Sequence, residues 1–241
     1  SDIQGFTSIA EDMEPEELTD FLNTFLSEMS KIILENGGTI DKYEGDAIVA
    51  FWNAPTDIKN HELWALTAAL QCQKKLEDLR ENFTYRLGSP IYMRIGLNVG
   101  DSVVGNLGSK ERFNYTMIGD SVNLASRLEG VNKVYDSSIL VSEKTWTEAN
   151  YGENKDIIVA KKLDKVRVVG IDNPVQLYNI IGFKSEMSNK QLEEIEILDV
   201  ATCLLALDSG MSFEDADKEW ESFSTYDSEF LDKINRAYGE N

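Results

Sequence analysis

Apolar residues recur at helical spacing from Leu18 through Phe21, Leu22, Phe25, Leu26, Met29, Ile32 and Ile33, with Pro15 near the start of the run and Gly37-Gly38 at its end. A period near 3.6 with that punctuation predicts a long amphipathic helix over residues 15–36. The stretch TIDKYEGDAIVAFW, residues 39–52, changes period: β-prone Thr39, Ile40, Tyr43, Ile48, Val49 and Phe51 flank a Glu-Gly-Asp turn. That is a β-hairpin pattern, with the glycine supplying a positive φ. A second helix is predicted from about Asp57 to Asn82, on Leu63, Leu66, Leu70, Leu76 and Leu79. His61, the only histidine, falls in its first turn, where a solvated surface role is expected.

Further on, IYMRIGLNVGDSVVGNLG reads as strand, Gly-Asp turn and short strand, and RFNYTMIG as another strand. DSVNLASRLEGVNK is a short helix with Asp120 as its N-cap and Val122, Ala125, Leu128 and Val131 facing inward. Residues 142–150 form one more helix, capped by Ser142, and IIVAKKLDKVRVVGIDNPVQLYNIIGF supplies two or three closing strands. This order predicts an α+β sandwich, helices covering one face of a mostly antiparallel sheet. A strand feeding the first helix is expected ahead of Ser1-Asp2. From Ser188, the apolar series Leu192, Ile195, Leu198 and Leu207, then Phe213, Trp220, Phe223 and Phe230, predicts a helical hairpin. It serves as a packing buttress or as a half-formed repeat unit that docks a partner.

Composition narrows the function classes. The chain has 241 residues, 42% of them hydrophobic, which suits one compact domain with an appendage. The boundary is expected at 182/183. No apolar run approaches the roughly 20 residues that span a bilayer, so a soluble, cytoplasmic chain is expected. Cys72 and Cys203 lie in helical patterns without metal-ligand spacing and read as reduced core thiols. The net charge of −20 argues against a nucleic-acid partner, whose phosphates need Lys and Arg. From Phe183 onward 5 basic residues face 15 acidic ones, so the tail is a separate acid-faced element.

Three segments carry candidate chemistry: SDIQGFT at 1–7, DKYEGDAIVAFW at 41–52 and YTMIGDSVNLASRLE at 115–129. Asp2 and Asp46 each sit at a strand end beside a glycine-containing turn, and adjacent strands would bring them side by side. Two carboxylates that close repel unless a cation lies between them, and hard divalent ions prefer such oxygen ligands. A pair of such ions is the arrangement for displacement at phosphorus. Within IQGFT, free N–H groups at a helix start, with Gly5 allowing close approach, suit an anion such as a phosphate. Asn123 and Arg127 are four apart and share a helix face; a guanidinium offers several donors to phosphoryl oxygens and never deprotonates. Taken singly, the first pattern needs no more than a hairpin and the last no more than a surface polar pair.

Together and in this order the segments resemble the class III nucleotidyl cyclase catalytic domain, a ferredoxin-like βαββαβ sandwich, and the match extends from Ser1 to about Ile181. The resemblance implies two Mg²⁺ or Mn²⁺ ions on Asp2, Asp46 and the Ile3 carbonyl, with Gly5, Phe6 and Thr7 near the phosphates. It assigns Asn123 to the ribose and Arg127 to the transition state. Lys42 and Thr116 would read the base. Lysine donates to N1 of adenine and a threonine hydroxyl accepts from the amine at C6, whereas guanine presents the opposite pattern. This Lys–Thr pair resembles a bacterial subgroup of adenylyl cyclases, some of which respond to bicarbonate. The implied reaction converts ATP to 3′,5′-cyclic AMP and pyrophosphate. The family draws its aspartates and its Asn/Arg helix from different subunits, so a homodimer is implied, with VGNLGSKERFNYT as the crossing arm. An upstream sensor or membrane region is implied in the full-length protein.

The pattern departs in one place. The family carries a triphosphate lysine where VVGIDNP stands here, leaving Val169 and Ile171 at the expected positions. Lys161, Lys162, Lys165 or Arg167 are the available substitutes. That departure supports an alternative, a degenerate domain that binds nucleotide or dimerises with little turnover. Guanylyl cyclase is a third reading, disfavoured by Lys42.

Overall fold

The computed structural model describes residues 1–11, 13–87, 90–167, 174–193 and 195. It divides into two units, Ser1–Ser185 and Glu186–Asn241. The helical hairpin expected in the tail lies outside the described residues beyond Ile195, as do Val169 and Ile171. No helix among the described residues is long and apolar enough to cross a membrane.

The first unit opens with a two-residue strand β1 (Asp2–Ile3), a short helix α1 (Phe6–Glu11) and the long helix α2 (Pro15–Glu35). The hairpin follows as β2 (Thr39–Glu44) and β3 (Ala47–Phe51), then α3 (His61–Leu87) and β4 (Met93–Leu97). A two-stranded ribbon, β5 (Val103–Gly108) and β6 (Phe113–Ile118), leads into α4 (Asp120–Tyr135). The chain continues through β7 (Ile139–Ser142), α5 (Glu143–Ala149), β8 (Ile158–Val166) and β9 (Val175–Phe183).

Five strands form one sheet in the order β1-β4-β7-β9-β8, with β4 and β7 parallel and the other pairs antiparallel. The hairpin abuts it through Ser1, whose N donates to Ile48 O at 2.9 Å and whose O accepts from Ile48 N at 3.0 Å. β2 carries an irregularity: Ile40 pairs with Ala50 and Lys42 with Val49, so Asp41 is a β-bulge residue without a partner of its own.

The α+β class holds, with one difference in layering. β7 alternates between faces: Ile139 and Val141 join the main core with Phe21, Phe25, Met29, Leu66 and Leu76, whereas Leu140 packs with Leu128 and Leu177. The expectation of helices on one face therefore holds for α2, α3 and α5, while α4 covers the other. Phe21 meets Phe83 edge-to-face at 4.9 Å, joining α2 to α3. Each of these fully buried side chains contributes about 1.5–3 kcal/mol of transfer free energy.

Local boundaries differ where caps decide. α3 begins four residues later than its leucine spacing predicts, after Asn60 at φ +58°, and runs five residues further. Asp120 is not the N-cap of α4; that position belongs to Gly119, and Asp120 sits in the first turn, where a carboxylate favours the positive end of the helix dipole. Ser142 caps α5 as expected, accepting from Thr145 N.

Candidate active site

β1 brings the first acid into place. Pairing Asp2 with Arg94 and Ile3 with Met93 sets β1 against β4, and the Ser1–Ile48 bonds set its other edge against β3, one turn from Asp46. The buried Asp46 Oδ2 accepts from the Ile3 N–H at 2.9 Å, and its carboxyl lies beside that of Asp2. Burial, then the neighbouring Asp2, push the Asp46 carboxyl up to about 7; the Ile3 N–H pulls the other way. On α4, Glu129 lies close enough that burial, and next the Asp2 carboxylate, raise its carboxyl too.

This donor set fits hard divalent ions. Among the described residues no group of three or more His, Cys, Asp or Glu side chains gathers as a metal cluster. Two carboxylates leave most coordination positions to phosphate and water, as Mg²⁺ sites commonly do.

Gly5 adopts φ +71°, and Ser8 and Ile9 bond back to its carbonyl. The N–H groups of Phe6 and Thr7 make no hydrogen bond among the described residues, so they are available to an anion. The helix start read in IQGFT is the separate α1, and α2 opens at Pro15, where the apolar spacing predicts it.

Asn123 and Arg127 project from α4, Asn123 exposed and Arg127 half-buried. Arg127 makes no hydrogen bond or ion pair among the described residues, an uncommon state for a guanidinium with five donors. α4 is seated by two features that sequence reasoning missed. A Cβ on Gly96 of β4 would lie 2.1 Å from Ala125 O and 2.3 Å from Glu129 N, so only glycine lets the helix backbone rest on the strand. The fully buried Asn132 donates through Nδ2 to Ile95 O at 3.0 Å and accepts from Ser137 Oγ at 2.9 Å. Gly96 in the middle of an apolar strand is the one trace of this in the sequence.

Lys42 and Thr116 come together across the facing hairpins β2-β3 and β5-β6. Between them lies a third residue, Asp41, with a side chain only 3% exposed. Thr116 Oγ1 donates to Asp41 Oδ2 at 2.9 Å, and Lys42 Nζ stands 4.0 Å from the same oxygen and 3.6 Å from Glu44. A cleft of 390 Å³ runs past this group, lined by Asp2, Asp41, Lys42, Met117, Asn123 and Glu129 among others. Asp46, Thr116 and Arg127 do not line it. His61 bonds to Glu62 at 3.0 Å and stays outside the group.

Residues 1–182 match the model of a family described as the adenylate and guanylate cyclase catalytic domain. The chain is 36% identical over 184 residues to adenylate cyclase 1 of Rhizobium meliloti, covering 76% of this chain and 27% of that protein. It spans no more than 35% of the length of the first curated relatives it matches. Among solved structures it resembles the adenylyl cyclase CyaB of P. aeruginosa, with TM-score 0.69 and 36% identity over 78% of this chain and 93% of that one. It also resembles the guanylyl cyclase Cya2, with TM-score 0.68 and 32% identity over 78% and 91%.

Proposed function

Because the chain belongs to the adenylate and guanylate cyclase catalytic-domain family, we propose that residues 1–182 form a cyclase that converts ATP to 3′,5′-cyclic AMP and pyrophosphate. The observation that carries this reading is the Asp46 carboxyl, held by the Ile3 N–H beside that of Asp2. Two carboxyl groups brought this close offer a cation two oxygen ligands and are relieved of their mutual repulsion by it.

In the reaction the ribose 3′-oxygen gives its proton to solvent and bonds to the α-phosphorus, and the bond from that phosphorus to the oxygen of the β-phosphate breaks, releasing pyrophosphate. When bound at Asp2, Asp46 and the Ile3 carbonyl, two Mg²⁺ or Mn²⁺ ions supply acidification of the 3′-hydroxyl and neutralisation of the triphosphate. Asn123 holds the ribose so that its 3′-oxygen lies in line with the leaving group. Arg127 donates to the phosphoryl oxygens as charge builds on them. Phe6 and Thr7 offer N–H groups to the β- and γ-phosphates. Lys42 donates to N1 of the base, and the Thr116 hydroxyl accepts from its C6 amine.

Two copies of the chain complete each site in this reading, one supplying the aspartates and the other Lys42, Thr116, Asn123 and Arg127. The ribbon β5-β6 exposes Val103, Phe113 and Ile118 at more than 60% each, apolar area that a second copy would cover. Cyclic AMP released to the cytoplasm would make the domain the output of a longer signalling protein.

The test is turnover of ATP by the purified chain with Mn²⁺. Cyclic AMP and pyrophosphate are expected in equal amounts, and Arg127→Ala should reduce kcat by about 10²–10³-fold while sedimentation shows the same dimer. Binding of nucleotide without cyclic product would overturn the reading in favour of a degenerate domain. Preference for GTP would overturn the roles given to Lys42 and Thr116.

A further inference from the structure

We infer that Asp41 is a positioning residue that fixes the Thr116 hydroxyl as a hydrogen-bond acceptor and thereby makes the site select 6-amino over 6-oxo purines. The inference rests on the cyclase reading above and deepens it.

Three observations meet at this carboxylate. The β-bulge at Asp41 removes it from the regular ladder with β3, and bulges re-aim side chains beside sites of function. Its side chain is nearly sealed from solvent, where an acid without partners would be costly. Its Oδ2 takes the Thr116 hydroxyl at 2.9 Å and faces Lys42 at 4.0 Å.

The directional chemistry follows. A threonine hydroxyl has one hydrogen and two lone pairs, and a carboxylate only accepts. Bonding to Asp41 therefore uses the single hydrogen of Thr116. What remains for a ligand is acceptor capacity alone, which matches an exocyclic amine and meets a 6-oxo group lone pair to lone pair. A free threonine would rotate and satisfy either group. Lys42 and Thr116 thus differ in how they are constrained: lysine is a donor by nature, whereas threonine becomes an acceptor through Asp41. The ammonium of Lys42 stands between this carboxylate at 4.0 Å and Glu44 at 3.6 Å, so Asp41 constrains the threonine alone and shares the lysine with Glu44.

The discriminating comparison is ATP against ITP, which differ only at C6 and in the protonation of N1. In Asp41→Leu, an apolar side chain of similar size offers Thr116 no acceptor and frees its hydrogen for a 6-oxo group. The ratio of kcat/KM for ATP to that for ITP is expected to fall at least tenfold, with most of the ATP loss in KM and with dimerisation unchanged. Binding of the 3′-deoxy nucleotides, which lack the attacking hydroxyl, should show the same narrowing of affinities. With Thr116→Val as background, Asp41→Leu should leave the ratio where the single Thr116→Val variant puts it, since the two act as a unit. If Asp41→Leu does not fold, Asp41→Ala reads the same ratio. A folded variant that keeps the parent ratio overturns the inference. A parent chain that makes no cyclic nucleotide yet binds 3′-deoxy-ATP over 3′-deoxy-ITP, with that preference lost in Asp41→Leu, overturns the cyclase reading and leaves this one standing.

Discussion

Replacing Gly96 by alanine adds one methyl where α4 rests on β4. That carbon would stand 2.1 Å from Ala125 O, 2.3 Å from Glu129 N and 2.9 Å from Leu128 C. Carbon–oxygen contacts settle at about 3.3 Å or more, so roughly 1.2 Å must open between helix and strand. All three obstacles are main-chain atoms, which cannot swing aside as a side chain does. The cost of overpacking is therefore at the upper end of its usual range, about 3 kcal/mol, which for a unit of this size lowers Tm by roughly 6–12 °C. Ala125 lies midway between Asn123 and Arg127, so both residues move with it. A displacement near 1 Å at a catalytic group costs about 10²-fold in rate. Lys42 and Thr116 lie on the hairpins and stay in place, so the loss should fall on kcat with little change in KM. Thermal unfolding and ATP turnover of Gly96→Ala measure both effects. Gly130→Ala on the same helix provides the contrast: its methyl meets nothing within 4 Å, and it should raise stability by about 0.5–1 kcal/mol. A Gly96→Ala protein with the parent's Tm and kcat would refute the claim that this contact seats α4.

Asn132→Leu leaves the buried Ile95 carbonyl without its 3.0 Å partner and should cost about 1–3 kcal/mol in denaturant unfolding. Asp46 is raised in the folded state to about 7, so its contribution is full below its unfolded pKa and is lost as pH rises through 7. The metal-free protein should accordingly lose Tm between about pH 4 and 7 relative to Asp46→Asn. Mn²⁺ at pH 8 should raise the Tm of the parent and not that of the variant, a shift read by calorimetry. The Cys72 thiol, pushed up to about 12 by burial, should resist iodoacetamide at pH 8 in the folded chain and react once denatured, as peptide mass mapping will show.

Much of the scaffold is legible in the chain because its elements are long and periodic. α2 repeats its apolar spacing over five turns, and the hairpin carries alternation on both sides of Gly45. β7 escapes notice for the opposite reason: ILVS is four residues, all buried, with too few positions to show a period. The layering of helices depends on β7, since its alternate residues face different clusters. At the site, the meeting of Asp2 with Asp46 is visible in two turn-adjacent acids on strands expected to be neighbours. The part played by Asp41 is not, because a bulge is a property of register between two strands and leaves no mark in one of them. The same holds for Gly96 and Asn132, whose importance lies in how closely a helix approaches a strand.

The central claim is that one site draws its acids and its arginine from different copies of the chain. Asp46→Ala and Arg127→Ala should each be inactive alone. Co-expressed in equal amounts, half of the dimers pair one variant with the other, and each of these holds one intact site of two. Cyclic AMP production should then return to about a quarter of the parent rate. A mixture that forms dimers but stays at the level of its two inactive parents would contradict the account.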